Sequence, residues 1–281
     1  MTTTQLNVAP VTGAIGAEIH GIDLSEPLSQ FEIDAVRRAL LEHLVVFFRD
    51  QHLTPDSLKT FGSRFGELDI HPLTRSMDGH PEIIEVIKEP EETINWGDDW
   101  HTDLTALPEP PLGSILYALE IPPYSGDTHF LNMYLAYETL SAAMRHFVDG
   151  LTVHHVQNLS TYRGFKSMRN FDDARASQAV HPLVRTHPET GKRALFLSRP
   201  ADARIVELSE AESAALIDYL HEHASNLDLS CRFRWRAGSV AMWDNRCTRH
   251  RVTADYFYAQ RGFAPARRHM QRVTIRGDRP V

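Results

Sequence analysis

Trp100-His101-Thr102-Asp103 is the stretch around which this chain is organised. Read as extended backbone, its period of two points His101 and Asp103 to the same side. One imidazole and one carboxylate then converge on one point. That is two thirds of a two-histidine, one-carboxylate facial triad, a donor set that leaves half of an octahedral iron open. An isolated His-x-Asp is more often a pair of surface residues, so the remainder of the chain must supply a third ligand, anion-binding groups and a scaffold.

Working outward, short apolar runs alternate with turn signals. Residues 6–12 and 17–23, separated by Gly13 and Gly16, read as a hairpin. Ser29 and Glu32 form a capping box for a helix ending near residue 43, followed by a strand at Val45–Phe48. Thr54-Pro55 opens a second helix that runs to about Phe65, with Gly66 as its stop. Strands are expected at 83–88, 113–120 and 128–133, and a helical pair at 134–149. The polar, aperiodic segment 158–180 reads as a lid, because a long loop inside a domain is usually functional. Strands at 181–187 and 193–199, a helix at 210–224 boxed by Ser209 and Glu212, and strand-like runs at 231–246 and 270–277 complete the chain. No repeat or linker divides it, so residues 1–281 are expected to form one domain. Many short strands with a few helices suggest a β-sandwich or barrel with helical buttresses.

A formal net charge of −8 argues against a nucleic-acid surface. Only Cys231 and Cys247 are present, which implies no disulfide framework. The start lacks a basic segment followed by an apolar stretch, and no apolar run reaches membrane-spanning length. The expectation is a cytoplasmic protein that binds neither nucleic acid nor membrane, acts on a small molecule and forms a homo-oligomer. His250, after Trp243-Asp244-Asn245-Arg246, is the histidine that stands out among 16 as a third ligand. Arg268 and Arg272 follow it. If their run is extended, they share a face with Met270; otherwise they belong to a solvated basic edge.

These runs together resemble the taurine dioxygenase and 2,4-dichlorophenoxyacetate dioxygenase family of non-haem iron(II), 2-oxoglutarate-dependent dioxygenases. The resemblance rests on residues 98–105, on Trp243-Asp244-Asn245-Arg246 with His250, and on Arg268 with Arg272. Residues 11–23, Arg64–Glu67, Gly126–Thr128 and His181–Pro188 match in the same order, so it covers roughly 6–280. It implies a mainly β fold with flanking helices (α+β), a cupin-like double-stranded β-helix or jelly roll. His101, Asp103 and His250 match the Fe(II) ligands. Thr128 and Arg268 match the residues that hold the distal carboxylate of 2-oxoglutarate, for which a guanidinium offers a planar, bidentate fork. Arg272 and His71 match substrate-side groups, Arg272 meeting the substrate's anion. O2 is the remaining cosubstrate, and succinate and CO2 are released. Asp103 also argues for hydroxylation over halogenation, since a small residue there would free a site for chloride.

Departures from the family pattern bear on the substrate. Seventeen residues separate His250 from Arg268 where about ten are usual, and an alternative alignment gives Arg261 the cosubstrate role. Gly97 stands in place of a substrate-contacting Asn, Thr74 in place of a Tyr, and Arg199-Pro200-Ala201 in place of a segment ending in Phe. Smaller side chains imply a larger cavity than taurine needs. The expected substrate is a small or medium organic anion, aryloxyalkanoate-like or alkyl sulfate- or sulfonate-like. The alternative is a biosynthetic member performing hydroxylation, desaturation or ring formation on an amino-acid-like or natural-product substrate.

Overall fold

Val45-Val46-Phe47-Phe48 is apolar at every position, and the tertiary structure shows why. The computed structural model describes residues 6–92, 97–157, 177–255 and 266–281. Among them, the largest sheet has nine strands. Eight follow the order Asn7–Pro10, Ala17–His20, Val45–Phe48, Val240–Asp244, Gly113–Glu120, Arg268–Ile275, His80–Lys88 and Ser76–Met77, and Leu68–Asp69 pairs onto Arg268–Ile275. Alternation sends Val45, Phe47, Leu116, Ala118, Ala241 and Trp243 to one face and Val46, Phe48, Ile115, Tyr117, Val240 and Met242 to the other. Both faces are buried here, so Val45–Phe48 and residues 240–243 are apolar at every position.

The second of these faces packs on two helices. Gln30–His43 contributes Ile33, Val36 and Leu40, and Pro55–Ser63 contributes Leu58 and Phe61. Both helices start at the expected capping residues, with the reciprocal bonds formed at Ser29/Glu32 and Thr54/Ser57. The second helix ends at Ser63, capped by Arg64, so Gly66 is not its stop.

The first face packs on a three-stranded sheet of Ser230–Phe233, Thr128–Asn132 and Thr248–Val252, where Phe47 stacks on Phe233 at 4.0 Å. Two sheets closed around one core form the expected cupin-like jelly roll. Gln178–Pro182, Thr152–Val156 and Ala203–Ile205 form a further sheet, with the helix Glu210–Ala224 against it.

One local expectation is corrected. The Trp100–Asp103 run is not a strand. His101 makes a single bridge to His250, with N–H to C=O bonds of 3.0 and 2.9 Å in the two directions, and the chain then turns through Leu104, whose φ is +49°. The lid expected at 158–180 falls mostly outside the described residues, and its last three residues belong to the strand Gln178–Pro182. The alternative cosubstrate residue, Arg261, also lies outside the described residues. Both cysteines are buried and free, as expected. No helix among the described residues is long and apolar enough to cross a membrane.

Candidate metal centre and adjoining cavity

His101, Asp103 and His250 meet where the Trp100–Asp103 run bridges the strand Thr248–Val252. One donor atom from each lies within 4.8 Å of the other two. His101 Nε2 and His250 Nε2 are both 3.9 Å from Asp103 Oδ1. The bridge between His101 and His250 sets this geometry, since it fixes two residues 149 apart in sequence side by side. His101 Nδ1 lies 2.7 Å from the Asp99 carbonyl, which can only accept, so the Nδ1 proton is engaged and Nε2 is left as a lone-pair donor. Burial, the largest influence, lowers the pKa of both imidazoles, and His250 is brought down to about 3. Burial alone would raise Asp103, but Arg272, His250 and His101 together outweigh it and keep the carboxyl well below the usual range. Two neutral imidazoles and one carboxylate are the donor set that suits a divalent iron with open positions.

Asp103 is itself held. Its Oδ2 accepts from Ser114 Oγ at 3.3 Å and from Asn245 Nδ2 at 3.4 Å, while Asn245 Oδ1 accepts from Trp243 Nε1 at 2.9 Å. Its Oδ1, which faces the histidines, accepts from Arg272 Nη1 at 3.1 Å. Asn245 belongs to the Trp243–Arg246 run, but its bond to Asp103 is not legible there, and Ser114 lies outside every motif; a serine in the buried part of the strand Gly113–Glu120 is the available signal for it.

A cavity of about 350 Å³ opens beside these three residues. His71, Gly97, Thr128, Arg199, Arg268 and Arg272 line it, so six further sequence-derived site residues are brought to the same space. Thr74 is not among the lining residues; it is buried, and its N–H donates to His71 Nδ1 at 3.1 Å. Gly97 has a φ of +83°, and a Cβ there would come within 3.0 Å of His101 Cε1. Glycine at this position therefore answers to the backbone and to the His101 ring, beyond any gain in cavity size.

The family model described as Taurine catabolism dioxygenase TauD, TfdA family matches residues 7–274. The chain belongs to this family. It is 36% identical to an alpha-ketoglutarate-dependent sulfate ester dioxygenase of Pseudomonas putida, over 99% of this chain and 91% of the relative. It is 34% identical to an alkylsulfatase of Acinetobacter baylyi, over 98% of this chain and 86% of the relative. The crystal structure of a taurine dioxygenase from Burkholderia xenovorans superposes with a TM-score of 0.84 at 41% identity, covering 98% of this chain and 92% of that one. This TauD/TfdA chain is a 2-oxoglutarate-dependent dioxygenase.

Other groups in the TauD/TfdA chain acquire meaning against that chemistry. Thr128 Oγ1 accepts from Trp235 Nε1 at 2.9 Å, which leaves its own proton to donate. His71 Nδ1 accepts from the N–H groups of Leu73 and Thr74, at 3.3 and 3.1 Å, which places the ring proton on Nε2. The same turn recurs at His187-Pro188, where Nδ1 accepts from Glu189 and Thr190. His187, Asp244 and Cys247 form a second convergent cluster, but both Asp244 oxygens are taken. Oδ1 accepts from Arg246 N and Nε, and Oδ2 from Arg246 Nη2 and His187 Nε2. That cluster is a structural network under the turn that carries Asn245 and leads into the strand Thr248–Val252 with His250. Arg249, fully buried, donates through Nη2 to the carbonyls of Trp100 at 2.7 Å and Ser198 at 3.2 Å. It ties the His101 stretch to the loop that carries Arg199.

Proposed function

We propose that the chain oxidises the carbon next to the sulfur-bearing head of a small organosulfur anion, with an alkyl sulfate ester as the preferred class. The observation that carries this reading is the pairing of His71 and Arg272 in the cavity that adjoins His101, Asp103 and His250. The Nε2–H of His71 and the guanidinium of Arg272 are donors without a competing acceptor role, suited to a tetrahedral oxyanion. The names borne by the Pseudomonas and Acinetobacter relatives support it.

In this reading His101, Asp103 and His250 hold Fe(II). Arg268 and the Thr128 hydroxyl hold the far carboxylate of 2-oxoglutarate. The bound iron, with 2-oxoglutarate and O2, supplies the oxidant that replaces one substrate C–H by C–OH, and 2-oxoglutarate leaves as succinate and CO2. His71 and Arg272 set the anion so that the carbon bearing the ester oxygen is the one presented. The apolar wall of Val86, Leu104, Leu116 and Val252 receives the body and limits water. Hydroxylation at that carbon gives a hemiacetal sulfate; its C–O bond to sulfate breaks as the hydroxyl loses its proton, leaving an aldehyde and sulfate.

The test compares an alkyl sulfate, an alkyl sulfonate, taurine, an aryloxyalkanoate and a neutral methyl sulfone by substrate-dependent succinate formation. The sulfate is expected to lead. The sulfone, isosteric but uncharged, is expected to fall roughly 10- to 150-fold in kcat/KM, the scale of about 1.5–3 kcal/mol for a charged hydrogen bond. Equal turnover of sulfone and sulfonate would remove the anion anchor, and a lead by the aryloxyalkanoate would remove the organosulfur class.

Arg268 carries a separate expectation. Arg268→Lys keeps the charge and loses the planar fork. Affinity for 2-oxoglutarate should fall by roughly 1.5–3 kcal/mol in calorimetric titration, with Fe(II) affinity unchanged. If Arg261→Lys shows this loss and Arg268→Lys does not, the cosubstrate assignment is wrong.

A further inference from the structure

Gln157 lines the cavity and is 7% exposed, yet its side-chain oxygen is buried with no hydrogen-bond partner among the described residues. Its backbone N–H donates to Ser177 O at 2.9 Å. The side-chain oxygen therefore has no structural partner that accounts for its burial. A buried acceptor left unmade is costly, so such groups usually await a partner.

Its position is defined by strand register. Thr152–Val156 pairs antiparallel with Ala203–Ile205, His155 opposite Ala203. Two residues on, Gln157 has left the paired stretch and lines the same cavity as Asp202 of the short turn Pro200–Asp202. That turn carries the Arg199–Asp202 ion pair, 2.6 Å between Nη2 and Oδ2, and both of its members line the same cavity. Asp202 is 8% exposed, and burial raises its carboxyl pKa against the opposing pull of Arg199. Asp98 and Asp99 line the cavity as well. The cavity wall thus carries donors on Arg268, Arg272 and His71 and acceptor oxygens on Gln157, Asp202, Asp98 and Asp99.

We propose that the substrate carries an O–H or N–H donor on its body, away from its anionic head, and that Gln157 receives it beside the Arg199–Asp202 pair. This makes Gln157 a specificity-determining residue and narrows the substrate to hydroxy- or amino-substituted organic anions over plain alkyl ones. A site built around an unpaired acceptor rejects the analogue that lacks the donor, because the acceptor then stays buried and unmade. The inference rests on the proposed function only for the identity of the anionic head.

The experiment uses matched substrates on propyl, butyl and hexyl chains, with methyl, hydroxyl, amino or methoxy termini. Each is made as sulfate, sulfonate and carboxylate. The holoenzyme is assayed as wild type, Gln157→Leu and Gln157→Glu, reading kcat/KM for succinate formation. In wild type the hydroxyl or amino compound of at least one length is expected to exceed its methyl partner by about tenfold or more. The methoxy compound, an acceptor only, should not share that gain. Gln157→Leu should bring the donor-to-methyl ratio close to one, while Gln157→Glu, which keeps an acceptor, should retain it and shift it toward the amino compound. A lead by hydroxyl over amino identifies a neutral donor, and the reverse a cationic one. A ratio near one in wild type at every length, a methoxy compound equal to the hydroxyl, or a ratio untouched in Gln157→Leu overturns the inference. If sulfates and sulfonates are inert and carboxylates show the donor preference, the organosulfur reading fails and this one stands. If sulfates turn over without the preference, the outcome is the reverse. No turnover in any series overturns both.

Discussion

His101→Ala and His250→Ala are each expected to abolish substrate-dependent succinate formation, by on the order of 10³-fold or more, equivalent to about 4 kcal/mol of lost barrier lowering. The expectation follows from the convergence of the donor atoms of His101, Asp103 and His250 within 4.8 Å. Equilibrium dialysis of Fe(II) under anaerobic conditions should show the corresponding loss of metal. Thermal unfolding should show that both histidine variants keep their fold, since neither ring nitrogen that faces the site braces another element. Asp103→Ala should lose iron too, but with a cost in stability. It removes the carboxylate that accepts a charged hydrogen bond from buried Arg272 at 3.1 Å, and such a bond contributes about 1.5–3 kcal/mol. Asn245→Leu is graded between these cases. It removes a bond that aims Asp103 Oδ2 away from the metal position, and iron affinity should fall by roughly 10- to 100-fold. Near-normal activity in His250→Ala would assign the third ligand to a different residue and remove the central claim about the site.

Arg246→Met is expected to destabilise the fold by about 3–5 kcal/mol, read from the midpoint of chemical denaturation. Arg246 is buried and holds both oxygens of Asp244, itself 1% exposed, while Nη2 also reaches Glu189 Oε1 at 2.9 Å. Glu189 in turn pairs with Arg37 on the first helix at 2.7 Å. Removing the guanidinium leaves the Asp244 carboxylate with only His187 and the Arg246 backbone as donors. Burial by itself would raise the Asp244 pKa, but the hydrogen bonds from Arg246 and His187 and their charges win and lower it. A carboxyl whose folded pKa lies below its unfolded value, near about 3.9, contributes stability that is fully present above that value. The contribution is lost as pH falls from there toward the folded pKa. Asp244→Asn should therefore flatten the acid limb of the stability curve below about pH 4. A wild-type acid limb in Asp244→Asn, or a loss under about 1 kcal/mol in Arg246→Met, would show that the network adds little.

Much of the scaffold was legible locally. Ser29/Glu32, Thr54-Pro55 and Ser209/Glu212 mark helix starts because a cap satisfies backbone donors within one turn, and all three helices begin there. Strands buried on both faces, such as Val45–Phe48 and Gly113–Glu120, announce themselves as apolar runs. The strand Thr152–Val156 did not, since His154 and His155 interrupt the apolar pattern, and its place in a sheet is set by partners at 178–182 and 203–205.

The candidate ligands were nameable from the runs around Trp100–Asp103 and Trp243–His250, together with the arginines at 268 and 272. The fold brings them together in another way than the shared strand face suggested by the His-x-Asp spacing. His101 and Asp103 do not share a strand face; a turn through Leu104 and a single bridge to His250 bring the three donors together. Sequence alone fixed which side chains carry donors and cations, because that is a property of residue type. Tertiary structure decided what each of them faces. Ser114 and Asn245 aim the Asp103 carboxylate, Thr74 supports His71 from outside the cavity, and Gln157 lines the same cavity as Arg199 and Asp202. The contacts of Ser114 and Asn245 with Asp103 join residues 11 and 142 apart, and no local periodicity encodes them.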